Sequence, residues 1–453
     1  MLNSACASVD ARPSFDSVAA TVAERSGAQP VWSRTAADDE ATERAARELL
    51  EAPLDDAAAA RIALLRNRAL IGEIEELGIA RADYAQATRL VNPTLAASRR
   101  TSGSAPGSNV EVALVADLLD VLVQPARARL AAVEFEAARL RLGQTMLDLV
   151  ADARTGYVVL VAAEESLERV ALVRDLTRAA AKLARRQAAA GNLAERDVAL
   201  FEAEEAEATI DLTRAEVEAG GARERFKVLL GLRQEGPAWS VARHLPALPG
   251  AEPDLTGLEQ QALANRLDLD AARFGVDLVG RALSLKRGTR FFPVGVEVGF
   301  SRETELDGVR LEGPQIAIAL PIFDTGAASI ARLEAEERRA RRQLEGLALE
   351  IASEVRVRRQ ELLGARSLVE TYEGVLLPKR RAILEQTLLH YNMMLEGVYD
   401  LLRARREETG SALAATAALR EYWLARIGLE RAIGARLIDA TPTTTDPSSG
   451  GAR

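Results

Sequence analysis

From Gln124 to about Ala190 the chain runs for some 66 residues without a strong helix breaker, which at 1.5 Å per residue makes a helix of roughly 100 Å. Gly191-Asn192 interrupts the pattern, and a second helix is expected from about Leu193 to Leu230, ending near Gly231. The same arrangement recurs downstream, from Ala327 to about Asn392 with a kink at Pro378, and then from about Gly397 to Gly434. Helices of this length lie outside the globular range and need partners along their whole extent, so coiled-coil packing is predicted.

Ahead of each long helical run the period changes from helical to alternating. Val294, Val296, Val298 and Phe300 point one way, and Gly295, Glu297, Gly299 and Ser301 the other. After a polar turn at Glu303 to Gly308, Ile316, Ile318 and Leu320 alternate with Gln315, Ala317 and Ala319, which reads as a hairpin. Thr94 to Ser102 and Val110 to Leu118 form the corresponding pair around Gly103 to Ser108. A lone hairpin cannot bury its own apolar face, so each needs a partner surface.

The two halves are a duplication. Asn67-Arg68 answers Asn265-Arg266 and Pro93 answers Pro293. Past the hairpins the offset is constant at 203 residues, pairing Arg129-Leu130 with Arg332-Leu333, Asp197 with Asp400, and Gly231 with Gly434. The predicted organisation begins with an N-terminal extended segment and short helices over 1–52. A first repeat covers 53–235, with strands at about 92–102 and 108–118 and a helical hairpin over 124–231. A Pro- and Gly-rich linker covers 236–254. The second repeat covers 255–437, with strands at about 293–302 and 309–321 and a helical hairpin over 327–436. A tail over 438–453 reads as disordered from its composition. Asp55 or Asp56 is placed as the N-cap of a helix running to about Leu90, and another helix is expected from Leu255 to about Lys286.

Composition narrows the function. With 58 basic and 67 acidic residues and a net charge of −9, no basic excess exists to release counterions from a nucleic acid. No window approaches the ~18 consecutive apolar residues of a membrane helix, so any membrane crossing must be made by strands. His244 and His390 share no ligand spacing with each other or with Cys6, and no phosphate loop, nucleophile elbow or HExxH occurs. Neither catalysis nor a cofactor is expected. Met393 and Met394 are open to a soft-metal reading or to helical gap-filling. The single cysteine, Cys6, excludes an internal disulfide. Ser4-Ala5-Cys6 matches the end of a lipid-modification site, without the charged and apolar parts of an export signal ahead of it. Lipidation and an ordinary cysteine both stand.

Each half supplies two strands. Four strands per chain leave two edges, and open edges are not tolerated in a bilayer. Closing a barrel takes at least ~8 strands, so several copies must pool theirs.

Several stretches together resemble the TolC-type outer-membrane efflux proteins: NPTL at 92–95, ALPIFDTG at 319–326, LLP at 376–378, YNMMLEGVYDLLRARRE at 391–407 and YWLARIGLERAIG at 422–434. The resemblance covers roughly residues 15–437. It implies a mainly α chain with a small β part, three copies of which close a 12-stranded β-barrel continued by a 12-helix periplasmic α-barrel. It also implies lipidation at Cys6, as in many members. The expected function is a passive outer-membrane conduit with a periplasmic extension, carrying small molecules or metal ions. Its partners would be a homotrimer's other subunits, a periplasmic adaptor, an inner-membrane pump and outer-membrane lipid. A type I protein-secretion channel and a soluble coiled-coil scaffold are the alternatives.

In that family each hairpin turn carries a Gly followed six residues on by an Asp, and the second turn lines the periplasmic entrance. Gly191 and Asp197 match in the first half. In the second half Asp400 matches, Met394 replaces the Gly, and Arg403 stands where a further acidic residue occurs. Asp400 with Glu396 would present a three-fold ring of carboxylates; alternatively these residues and Asp197 are solvated tip residues or helix caps. Tyr391 either packs inside a narrowed tunnel or fills the hairpin core.

Overall fold

The computed structural model describes residues 9–101, 108–232, 238–290, 295–318 and 323–437. The expectations for Cys6, Pro293, the ALPI part of 319–322 and the tail over 438–453 lie outside these residues. The elements in order are α1 (Arg12–Ser26), α2 (Ala36–Leu50), α3 (Asp56–Arg66), α4 (Arg68–Ala87), β1 (Thr94–Thr101), β2 (Ser108–Asp117), α5 (Leu118–Ala189), α6 (Glu195–Leu229), α7 (Leu258–Asn265), α8 (Leu267–Gly288), β3 (Val296–Thr304), β4 (Arg310–Ile318) and α9 (Ala327–Thr371). A π-helical turn at Tyr372–Leu376 then leads into α10 (Leu377–Asn392), and α11 (Val398–Ile433) completes the chain. Two compact units are formed, each from separate stretches of sequence.

The first unit contains residues 72–142 and 267–349 and holds the sheet. All four strands join in the order β1-β2-β3-β4, every pair antiparallel. The two hairpins are therefore one sheet, joined along β2 and β3 by pairs such as Leu114 with Phe300 and Val112 with Arg302. Glycine is required at one place in it: a Cβ on Gly299 would lie 2.6 Å from the Leu114 carbonyl oxygen. Beside the sheet, Asp120 ties the start of α5 to the chain entering β1. Its carboxylate accepts from the Val91 N–H at 3.3 Å and pairs with Arg127 at 2.5 Å. Gln124 adds a bond to the Thr88 carbonyl at 2.7 Å. These contacts carry α5 back to Leu118, ahead of the expected start at Gln124, with Pro125 accommodated inside the helix.

The second unit contains residues 19–71, 143–266 and 350–437. The helix expected from Asp55 to Leu90 is two helices here. Asp55 caps α3, accepting from Ala58 N–H at 2.7 Å, but the chain breaks at Asn67, whose side chain caps α4 at Leu70 N–H. The downstream helix expected from Leu255 to Lys286 likewise breaks at Arg266. The reason is shared by both repeats. The carbonyl of the last residue of the short helix, Arg66 or Asn265, lies under the left-handed glycine that ends the long return helix, Gly231 or Gly434. A Cβ on Gly231 would meet the Arg66 oxygen at 2.3 Å, and one on Gly434 would meet the Asn265 oxygen at 3.4 Å. The helix break and the glycine cap are thus one packing motif in both halves. Its equivalent residues are Arg66-Asn67 and Asn265-Arg266, one residue out of register with the match of Asn67-Arg68 to Asn265-Arg266 read from the sequence.

A buried ionic network sits in the same unit. Arg154 pairs with Glu430 and, at 2.9 Å, with Asp56. Glu252 accepts from the Tyr422 hydroxyl at 2.6 Å and pairs with Arg366 at 2.8 Å, and Arg426 lies between Glu252 and Glu430. The Pro- and Gly-rich linker is pinned against this network. Arg366 holds the Pro249 carbonyl at 3.0 Å, Trp423 holds that of Pro246 at 2.9 Å, and Leu54 bridges Val241 in parallel.

The kink expected at Pro378 is resolved differently. Val355, Leu362 and Val369 are buried at seven-residue spacing, but the next buried side chain along that line, Leu377, comes eight residues on. One extra residue in a heptad pattern must be absorbed somewhere. The π turn absorbs it, and also places Pro378, with its missing N–H, in the first turn of α10.

Candidate functional site

The sheet has two chemically distinct faces. On one, Leu95, Val112, Leu114, Phe300 and Ile316 are in register across all four strands, and all five are exposed. Among the described sheet residues only Ala113 is buried. Among the described residues, these five side chains of the apolar face are left uncovered. Toward the strand ends that carry the turns it gives way to an ion pair, Arg302 with Glu312 at 2.6 Å. The opposite face is polar. Glu111 stands directly across from Glu303, and Asp117 across from Glu297. Like charges placed opposite each other destabilise a sheet. Three of the four carboxylates are eased locally: Ser98 and Arg100 approach Glu111, Asn109 donates to Glu303, and Asp117 caps α5 at Leu119 N–H. These carboxylates were not singled out from the sequence, because their alignment depends on the β2–β3 register, a pairing between halves that no local pattern encodes. Among the described residues each outer strand pairs on one side only, β1 with β2 and β4 with β3.

The two turns at the ends of the helical hairpins lie in the second unit and share one geometry. At the first, Gly191 N–H bonds the Ala188 carbonyl at 2.8 Å and Asn192 N–H bonds that of Gln187 at 2.9 Å. At the second, Met394 N–H bonds the Tyr391 carbonyl at 3.0 Å and Leu395 N–H bonds that of His390 at 2.8 Å. Both are Schellman closures, with Gly191 at φ +77° and Met394 at φ +61°. Met394 is the one non-glycine residue in the left-handed region among those described. The 203-residue offset superimposes them residue for residue.

The side chains singled out at these turns have local partners. Asp197 sits in the first turn of α6 and is bound by Arg196 at 2.9 Å. Asp400 closes the start of α11, accepting from Gly397 N–H at 3.2 Å. Glu396 lies 3.1 Å from His390 Nδ1. Arg403 lines a groove with Leu176, Phe201, Glu204, Tyr399 and Arg406. Tyr391 is 39% exposed, Met394 is 94% exposed, and Met393 and Leu395 are exposed as well. A residue not anticipated, Tyr399, holds the two hairpins together. Its hydroxyl donates to Gln187 at 2.6 Å, its ring stacks on Phe201 at 4.4 Å, and burial raises its pKa.

Further along, Glu165 is buried among helices. Burial opposes its charge, but Arg169 at 2.6 Å and the Thr416 hydroxyl at 3.0 Å hold its carboxyl below the usual range. Desolvation pushes the Tyr157 hydroxyl up to about 12, with Asp56 and Asp55 adding to the effect. His244 lies 3.6 Å from Glu165 and His390 beside Glu396, so the two histidines serve separate carboxylates. Among the described residues no helix is long and apolar enough to cross a membrane.

No protein-family model and no curated protein sequence matches the chain. Solved structures do. The outer-membrane channel OprN is similar over 92% of this chain and 95% of its own, at 19% identity and a TM-score of 0.68. The outer membrane protein VceC of Vibrio cholerae is similar over 89% of this chain and 100% of its own, at 16% identity and a TM-score of 0.67. The open state of the MtrE outer membrane channel of Neisseria gonorrhoeae is similar over 84% and 90% respectively, at 21% identity and a TM-score of 0.64. With its small antiparallel sheet and long helical hairpins, the chain has the fold of these outer-membrane channels.

Proposed function

We propose that the chain is one subunit of a TolC-type outer-membrane channel, three copies closing a 12-stranded β-barrel continued by a 12-helix periplasmic barrel. The observation that carries this reading is the sheet. It exposes an apolar face, keeps a polar face opposite, and leaves both outer edges unpaired among the described residues. In water the apolar face and the open edges are liabilities, whereas in a barrel wall lipid covers the apolar face, the polar face lines a water-filled lumen, and neighbouring subunits pair the edges. A soluble scaffold gives no reason for such a sheet.

In this reading the assembly is a passive conduit for small molecules or metal ions, coupled to a periplasmic adaptor and an inner-membrane pump. Gly191, Asp197, Tyr391, Met394, Glu396, Asp400 and Arg403 form the periplasmic entrance, and Cys6 carries a lipid anchor. Reconstitution into planar bilayers tests the proposal. Discrete conductance steps are expected, and Asp400→Ala is expected to change their size. A detergent-purified, folded protein that never conducts contradicts it.

A further inference from the structure

The two hairpin turns share one backbone, so the side chains in which they differ are not needed to close it. At the 203-residue offset the first turn carries Gln187, Ala190, Gly191 and Leu193 where the second carries His390, Met393, Met394 and Glu396. An amide and three apolar positions thus stand against an imidazole, two thioethers and a carboxylate. Two of the chain's four methionines and one of its two histidines fall between His390 and Met394. These methionines are not core filling. Met146 is fully buried, whereas Met393 and Met394 are both exposed. Met394 also holds φ +61°, where glycine is the unstrained residue.

His390 and Met393 are one helical turn apart, on the same face at the end of α10. The Schellman closure then brings the chain back toward them. Leu395 N–H reaches the His390 carbonyl at 2.8 Å, and Glu396 lies 3.1 Å from His390 Nδ1. A carboxylate accepts, so in the neutral ring Nδ1 carries the proton and Nε2 keeps the lone pair that binds metals. Among the described residues no group of three or more His, Cys, Asp and Glu side chains could hold a metal ion. A metal site at this turn therefore rests on its thioethers, which select soft ions. We propose that the Met394 turn binds a soft monovalent cation of the Cu(I) or Ag(I) kind through His390 Nε2 and the sulfurs of Met393 and Met394. Glu396 is a positioning residue, holding the imidazole in the ligating tautomer. The Gly191 turn, without imidazole or thioether, is not such a site. The inference goes beyond the channel reading and does not rest on it, because every group involved belongs to one turn of one chain.

The test titrates Ag(I), in chloride-free buffer, into the full-length protein in detergent, with Cys6→Ser throughout so that no thiol competes. Zn(II) is titrated in parallel. Calorimetry is read together with the ε-methyl signals of 13C-labelled methionine. The protein with an intact turn is expected to take up one Ag(I) per chain, moving the signals of Met393 and Met394 while that of Met146 stays in place. Met393→Leu with Met394→Leu, which keeps the apolar bulk, is expected to abolish saturable uptake. Glu396→Ala is expected to weaken it by about tenfold or more. Giving the turn its first-half residues, by His390→Gln, Met393→Ala, Met394→Gly and Glu396→Leu together, is expected to abolish uptake with circular dichroism and oligomeric mass unchanged. Absence of saturable uptake with the turn intact, or uptake that survives in the folded leucine variant, overturns the site. Zn(II) bound as tightly as Ag(I) overturns its soft-ion character, and undiminished affinity in Glu396→Ala overturns the positioning role. A protein that binds Ag(I) in this way but never conducts defeats the channel reading and leaves the site standing.

Discussion

The two hairpin turns close with the same two backbone hydrogen bonds and the same left-handed residue, yet one uses Gly191 and the other Met394. Duplication preserved the geometry and let the residue change. A turn of this kind fixes φ, and glycine is only the least strained way to satisfy it. A methionine there is held by the closure around it, at a cost of about 1 kcal/mol. The same contrast runs through the rest of the two halves. Where packing sets the backbone the copies agree, as at the Asn67 and Arg266 breaks and the Gly231 and Gly434 caps. Where side chains alone are involved they diverge. Arg154 and Glu430 are buried partners, but their counterparts at the 203-residue offset are Val357 and Lys227.

That divergence gives the largest expected effect. Arg154→Ala leaves Glu430 buried without its cation and should destabilise the protein by about 3–5 kcal/mol in denaturant titration. Val357→Ala, at the exposed counterpart, should change stability by less than about 1 kcal/mol. The glycine caps come next. Gly231→Ala drives a Cβ into the Arg66 carbonyl and should cost about 3 kcal/mol, against about 1 kcal/mol for Gly434→Ala, where the approach is looser. Equal costs at the two caps would contradict the closer approach at Gly231.

Tyr157 separates the halves by pH, since Gln360 stands at its counterpart. Its pKa is raised in the folded state, so its contribution is complete below the unfolded value of 10 and is lost as pH rises toward about 12. The loss should be on the order of 2 kcal/mol between these limits, and Tyr157→Phe should remove that part of the alkaline decline. Glu165 acts in the other direction: its lowered pKa gives stability present above the ordinary value of 4.5 and lost as pH falls below it. Thermal melts from pH 3 to 6 on Glu165→Gln should show a shallower acid decline than wild type. The smallest effect is a gain. Met394→Gly should stabilise the second turn by about 1 kcal/mol, and Gly191→Met should cost the first turn a similar amount. If Met394→Gly destabilises instead, the methionine side chain has a role in the fold that its exposure does not reveal.

Much of this architecture was legible in the sequence. Periodicity located the strands, because alternation between Val296 and Phe300 is unlike any helical pattern, and Gly191-Asn192 marked the first hairpin turn. The resemblance in scattered tokens pointed to the fold that the solved structures share. The rest depended on contacts between distant residues. Asn67 looks like an ordinary helical position until its side chain meets the Leu229 carbonyl and Gly231 packs on the preceding Arg66. Arg154, Glu252 and Glu430 read as surface charges because a burial pattern emerges only when several helices meet. The π turn hides in a one-residue change of heptad spacing, which the more conspicuous Pro378 obscured. The tip carboxylates were legible as positions, and the structure adds the partners they hold: Gly397 for Asp400, His390 for Glu396 and Arg196 for Asp197.

The native mass of the detergent-solubilised protein, by light scattering corrected for bound detergent, tests the central claim most directly. A four-stranded sheet that completes itself only by pooling strands predicts a protein mass three times the 48.7 kDa of one chain. A stable, folded monomer, with the edges of β1 and β4 open to solvent, would contradict it.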